Sequence, residues 1–411
     1  MKVNGIIAEY NPFHSGHLYQ LEDAKARTGA DYTVIAMSGN FMQRGTPALV
    51  DKYKRARMAL ECGADLVLEI PVFYSVSSAE YFATGAVALL DKLGVVDHLC
   101  FGAECDDLHV LQQIADIFLH EPEEFSTLIK QYTKEGYSYP SARAVALNQF
   151  RPDLYKRDDV LVSSNNILAI EYLKALKKRS SSIEPLSTLR RSSDYRDRML
   201  TSHQSSALAI RQAIYDNREL SALAEQIPPA AFRILRKAIE TYGPVRLNDF
   251  SAILHYRLLM EADNGYTQYL DVSPELSDRI RGHLYEFTDF RSFCDLLKTK
   301  ELTYTRISRC LMHILLDIKA TDVYHYMYAD CVQYARVLGF RKDSQPLLTA
   351  IKENASIPLV TKLADAKKQL GEYSHQMLQK ELQISAIHSS TVAVKSGTSM
   401  KNEFRSPLVI I

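Results

Sequence analysis

Apolar residues fall in two rhythms along the first 190 positions of this chain. Short runs of β-branched and aliphatic residues at Val3–Tyr10, Tyr32–Met37, Asp65–Ile70 and His98–Phe101 predict four strands. Between them, apolar residues recur every three or four positions, which predicts helices over Gly16–Arg27, Lys52–Cys62 and Ala79–Leu93. Pro71 stops the third strand and Gly102 the fourth. Residues 106–150 and Asn166–Lys178 also read as helical, and Ser182–Thr188 as a fifth strand. Strands alternating with helices of this length predict βαβ units, a parallel sheet and right-handed crossovers.

From about Ser206 the rhythm changes. Helical periodicity runs to Leu382 and strand-like runs are rare, which predicts a mainly α-helical C-terminal domain. From Ile387 the chain is rich in Ser, Thr and Val and ends in Pro-Leu-Val-Ile-Ile. This reads as a strand or a docked arm, with the polar stretch Lys395–Asn402 mobile. The expected division is therefore 1–215, 216–385 and 386–411.

Composition adds mainly exclusions. The 411 residues suffice for two or three domains, and 46% hydrophobic with 24% charged residues is ordinary globular composition. Lys+Arg and Asp+Glu both number 49, so a nucleic-acid partner would have to be met by a local basic patch. Six scattered cysteines (62, 100, 105, 294, 310 and 331) form no CxxC pair, which points to reduced thiols rather than a zinc knuckle or disulfide framework. The N-terminal apolar stretch is too short for a signal-peptide core, and no run of 18 apolar residues exists to span a membrane. The expected compartment is the cytoplasm.

Candidate chemistry concentrates in Ala8-Glu9-Tyr10-Asn11-Pro12-Phe13-His14-Ser15-Gly16-His17, between the first strand and the first helix. That is the carboxyl edge of a parallel sheet, where α/β folds bind ligands. A helix N-terminus offers free N–H groups to phosphate, and Gly16 lets backbone approach a ligand. His14 and His17, three apart, can turn both imidazoles toward one site, which suits stabilising charge on a transferring phosphate. The same residues would also serve as a capping serine and two incidental histidines.

Here the chain resembles known proteins. His-Ser-Gly-His after a strand, with Asn-Pro-Phe before it, is similar to the T/HxGH signature of the HIGH nucleotidyltransferase superfamily, whose fold is Rossmann-like. The strings EYNPFHSGHLYQ, MSGNFMQRGTPALVDKYKRARMAL, GADLVLEIP, FGAE and SSNNILAIEYLKAL closely resemble one family, the bacterial tRNA(Met) cytidine acetate ligases. The resemblance implies a nucleotidyltransferase-like ATP-binding catalytic domain in 1–215 and a helical tRNA-binding domain in 216–385. It implies activation of acetate as acetyl-adenylate and acetylation of N4 of the wobble cytidine, position 34, of elongator tRNA(Met). ATP would be co-substrate, with Mg2+ bound through its phosphates.

Carried over residue by residue, the resemblance places ATP against Ile7, Ala8, Glu9, Tyr10, Asn11, Pro12, Phe13, His14, Ser15, Gly16, His17, Leu18, Tyr19 and Gln20. His14 and His17 would be catalytic. Gly102 would leave room for nucleotide at the sheet edge, and Asn165 would hydrogen-bond base or ribose; it or Ser164 could instead cap the helix, and one residue could do both. Arg190 would meet the phosphates, although Arg191 follows it and either could face ATP. Ser206-Ala-Leu-Ala-Ile-Arg211 is similar to the second superfamily signature, with Leu208 where threonine is usual. Glu9 could position magnesium or acetate, or pair with a nearby Lys or Arg.

Three basic stretches could track RNA phosphates: 177–211, Lys52–Arg57 and Arg306–Arg309. Each could equally be a solvated helix face. A small-molecule adenylyltransferase of the same superfamily is the alternative reading, against which the long helical half argues. A third reading is a non-enzymatic RNA-binding protein with a relict nucleotide site. A class I synthetase is disfavoured, since no KMSKS-like loop is apparent.

Overall fold

The structure, a computed structural model, describes residues 1–154, 160–190, 205–400 and 402–411. Its centre is a sheet to which both ends of the chain contribute. In chain order the strands are β1 (Val3–Ala8), β2 (Tyr32–Ser38), β3 (Phe41–Met42), β4 (Thr46–Pro47), β5 (Leu66–Ile70), β6 (His98–Ala103), β7 (Glu184–Leu189), β8 (Ala335–Phe340), β9 (Leu359–Val360) and β10 (Val409–Ile410). The sheet runs β10-β8-β5-β2-β1-β6-β7, with β9 alongside β8; β3 and β4 form a separate hairpin.

The five N-terminal strands of the sheet are parallel, with Ile6 opposite Ile35 on one side and Cys100 on the other. The predicted β/α alternation and the parallel sheet are thus both present. Alternation of side chains divides the core between the two faces. Ile7, Val34, Ala36, Leu66 and Leu68 join one apolar cluster, shared with the helices Ala79–Asp91 and Ser164–Lys178. Ile6, Ile35, Met37 and Val67 join the other, against α1 (Ser15–Thr28) and α2 (Lys52–Glu61).

The C-terminal part is mainly helical as expected, and the expectation for the tail needs correction. Residues 216–385 are largely helical, yet they also supply β8, which pairs antiparallel with β5 and extends the sheet. Val337 and Leu338 alternate between the two faces, so this strand is buried on both sides. Ser389–Val394, read as part of a strand or arm, instead continues the long helix Glu372–Ser396, which Gly397 ends at φ 64°. Only the last few residues behave as an arm: β10 adds to β8 in parallel. The sheet therefore does not stop at residue 215. Among the described residues, no helix is long and apolar enough to cross a membrane.

Candidate active site

The strand order reverses direction at β1, with β2 on one side and β6 on the other, so the loops leaving β1 and β6 diverge and open a crevice. A cleft of about 330 Å³ lies there. Of the fourteen residues 7–20, those on its wall are Ile7, Ala8, Glu9, Tyr10, Asn11, His14, His17 and Gln20, joined by Gly102, Asn165 and Arg190. Pro12, Phe13, Ser15, Gly16, Leu18 and Tyr19 are not on it. Phe13 is fully buried in the core, Ser15 donates its backbone N–H and hydroxyl to the Gln226 carbonyl, and Tyr19 points to solvent.

The turn between β1 and α1 is held by its own side chains. Tyr10 takes a left-handed φ of 48°, uncommon for a bulky residue. The Asn11–Pro12 bond is cis, and Asn11 Oδ1 accepts the Leu49 N–H at 2.8 Å. His14 is the N-cap: its Nδ1 accepts the Gly16 N–H at 3.0 Å. His17 Nδ1 reaches back to the His14 N–H at 3.2 Å. This is a capping box with histidine in both side-chain roles.

The consequence is chemical. A neutral imidazole whose Nδ1 accepts carries its proton on Nε2. Burial, with Arg190 and Arg211 adding to it, lowers His14 to about 3. Burial and the neighbouring His14 and Arg190 lower His17 as well. Both rings are thus neutral, stacked with centroids 3.8 Å apart, and each keeps one Nε2–H free of the backbone. Tyr10 packs edgewise on His17 at 4.8 Å and Phe13 packs against it at a tilt at 5.6 Å, and the two hold its ring.

Both glycines also answer to contacts within the protein. A Cβ on Gly16 would lie 2.9 Å from the His14 ring, so the missing side chain makes room for the cap. A Cβ on Gly102 would lie 3.1 Å from the Arg190 stem, so Gly102 lets that arginine cross the strand end. Neither Asn165 nor Ser164 caps the helix Ser164–Lys178. The Glu104 carboxylate accepts the Asn166 N–H at 3.0 Å and the Asn165 side-chain amide at 2.5 Å. Glu9 is held too: its Oε1 accepts the Gln43 N–H at 2.7 Å.

From the second signature, Ser206 caps the helix Ala207–Tyr215 by accepting the Ala209 N–H at 3.1 Å. Arg211 on that helix reaches the cleft and donates to the Asn11 carbonyl at 2.6 Å. Arg191, with Arg196 and Arg198, lies outside the described residues.

Sequence reasoning missed two cleft arginines, Arg44 and Arg309, along with Thr305 and Tyr172. Arg44 sits within the string MSGNFMQRGTPAL, which carried the resemblance but no assigned role, and Arg309 was read as part of an RNA-facing stretch. Several members of the other basic stretches have partners within the protein. Lys52 and Arg55 are fully buried. Arg55 donates to the carbonyls of Glu9, Ser38, Gly39 and Val50, tying together the carboxyl ends of β1 and β2. Lys177 pairs with Asp116, and Arg179 with Asp91 and Asp330.

Glu9 is the one carboxylate on the cleft wall among the described residues, and no group of three His, Cys, Asp or Glu there could hold a metal ion.

Comparison with known proteins matches a family model described as HIGH Nucleotidyl Transferase over residues 1–403. A protein of Acetivibrio thermocellus named tRNA(Met) cytidine acetate ligase is 39% identical over 417 residues, covering 100% of both chains. The apo crystal structure of Thermotoga maritima TmcAL superposes with a TM-score of 0.93 at 30% identity, again over 100% of both chains. A crystal form of that protein bound with alpha-thio ATP superposes at 0.90, with the same identity and coverage.

Proposed function

The chain belongs to the HIGH nucleotidyl transferase family and, within it, to the tRNA(Met) cytidine acetate ligases, and from that premise we propose that its cleft activates acetate with ATP and passes the acetyl group to tRNA. ATP lies across the β1–α1 turn. The free Nε2–H groups of His14 and His17 donate to the α-phosphate, where negative charge builds during displacement. Arg190 and Arg211, whose charges already act on the histidines, take the β- and γ-phosphates. Asn165 keeps its side-chain carbonyl oxygen for base or ribose, its amide being committed to Glu104.

An acetate oxygen forms a bond to the α-phosphorus while the bond between the α-phosphorus and the oxygen bridging to the β-phosphorus breaks, and pyrophosphate leaves with that oxygen and the electron pair. Carboxylate is already ionised at neutral pH, so positioning replaces a general base. The cytidine N4 amine then attacks the acetyl carbonyl, AMP departs and one N4 proton is released. The wobble base must be splayed from its stack to reach the cleft.

The observation that carries this reading is the histidine cap: two neutral donors, oriented by the backbone and flanked by two arginines, at the switch point of a nucleotide-binding sheet. The test is to incubate the protein with ATP, labelled acetate and elongator tRNA(Met), and to weigh the nucleosides. N4-acetylcytidine carrying the label is expected, together with acetate-dependent exchange of pyrophosphate into ATP without RNA. Modification that required acetyl-CoA and ignored acetate would end the proposal.

A further inference from the structure

Arg44 and Arg309 line the same cleft and have no part in the phosphate chemistry just described. Arg44 rides at the tip of the β3–β4 hairpin, and Arg309 sits on the helix Tyr304–Leu316. The two elements are held backbone to backbone. Gly45, at φ 70°, comes so close that a Cβ there would lie 2.5 Å from the Arg309 nitrogen. Ser308 Oγ donates to the Gly45 carbonyl at 2.8 Å, closing the contact. The hairpin tip is tied on two further sides, by Gln43 N–H to Glu9 at 2.7 Å and by Arg44 to Ser164 Oγ at 3.1 Å.

Two cations thus line one cleft from rigid scaffolding. Arg309 is partly buried, and among the described residues its Nε is buried without a hydrogen-bond partner. Burial, with Arg306 and Arg44 adding to it, pushes its pKa down, against the pull of Asp271. Asp271 offsets part of that cost, and an anion entering from the cleft would offset more. The triphosphate already has the histidine donors, Arg190 and Arg211. What lacks a partner is the second anion of the reaction, a small carboxylate that must approach an already negative phosphate. Guanidinium groups match a carboxylate in shape and bind it in bidentate fashion, and the Thr305 hydroxyl stands on the same wall.

We propose that Arg44 and Arg309 form the carboxylate subsite, holding the acetate oxygens beside the α-phosphorus; the inference rests on the acetate-ligase reading above. An RNA backbone phosphate is the other anion the cleft could meet. The burial of Arg309 favours the small ligand, which can follow it into the wall.

The experiment uses Arg44→Gln, Arg309→Gln and Arg309→Lys in the full chain. Acetate-dependent pyrophosphate exchange should show the KM for acetate raised ~10–100-fold in both glutamine variants, the usual loss of one charge-assisted bond. The ATP dissociation constant, read by direct titration, should stay within about twofold, which also reports an intact fold, and Arg309→Lys should recover part of the acetate affinity. Transfer to tRNA from acetyl-adenylate supplied ready-made should survive in all three. ATP affinity falling as far as acetate affinity would assign the pair to the triphosphate. Loss of transfer from acetyl-adenylate would assign it to RNA. Either result, or an unchanged acetate KM, overturns the subsite while leaving the ligase reading intact. Wild-type protein without acetate-dependent exchange would instead fell both.

Discussion

A histidine that caps its own helix gives one ring nitrogen to the backbone and keeps the other for a ligand. His14 and His17 do this reciprocally, which explains why they stand three residues apart and why a glycine lies between them. The arrangement also sets their titration. Their pKa values in the folded protein lie below the ordinary 6.5, at about 3 for His14, because burial and nearby cations penalise the charged ring. An unfolded chain takes up these protons near pH 6.5 and the folded one does not. The stability they contribute is therefore complete above pH 6.5 and declines as pH falls toward about 3. The ring proton signals of both residues in the ATP-free protein should hold the neutral Nε2–H position from pH 8 to pH 5. A midpoint near 6.5 for either ring would show that its Nδ1 is not engaged as described.

At the scale of elements, what periodicity can report was reported. Strands and helices of the first 190 residues were legible because each buries an apolar stripe of its own, and the HSGH turn because its chemistry is local. The β3–β4 hairpin was not legible: its strands are two residues long, and what holds it is the backbone of a helix more than 250 residues later. Likewise Lys52 and Arg55 looked like surface charge, since their carbonyl and carboxylate partners come from other segments of the chain. Gly45 is where this distant contact becomes testable. Alanine there meets both a left-handed φ, costing about 1–2 kcal/mol, and a backbone contact whose relief costs about 1–3 kcal/mol more. Gly45→Ala should thus lose roughly 2–5 kcal/mol in denaturant unfolding. It should also raise the KM for acetate, because Arg44 moves with the tip. Wild-type stability in this variant would mean that the hairpin is not clamped on Arg309.

For the whole molecule, the two ends of the chain meet in a buried charge cluster behind the sheet. Lys52 of α2 contacts Glu69 of β5 and Glu403 near the C-terminus, each at 2.6 Å. Arg336 of β8 lies 3.1 Å from Glu69 and 2.7 Å from Glu403. Two cations thus face two carboxylates, and burial notwithstanding, Lys52 and Arg336 hold Glu403 down to about 2. Glu381, on the long C-terminal helix, is a fifth member, on which Lys52 and Arg336 also act. It accepts the Val72 N–H at 2.6 Å, while burial and the nearby Glu69 push its pKa up to about 8. The folded protein therefore keeps a proton that the unfolded chain, with an ordinary value of 4.5, gives up. The stability this proton supplies is complete below pH 4.5 and is lost as pH rises through about 8. Above pH 6.5 the buried histidines no longer contribute a slope, and the buried cysteines, whose thiols burial pushes up from 9, add a decline only from about pH 9, so the contribution of Glu381 falls mainly between these limits. Glutamine has the shape of the protonated acid, keeps an acceptor for Val72 and cannot ionise. Glu381→Gln should leave the melting temperature at pH 5 nearly unchanged and raise it by a few degrees at pH 9, so that the two melting curves diverge as pH rises. Parallel curves across that range would mean that Glu381 is ionised in the fold and that a cation of the cluster is shared with it.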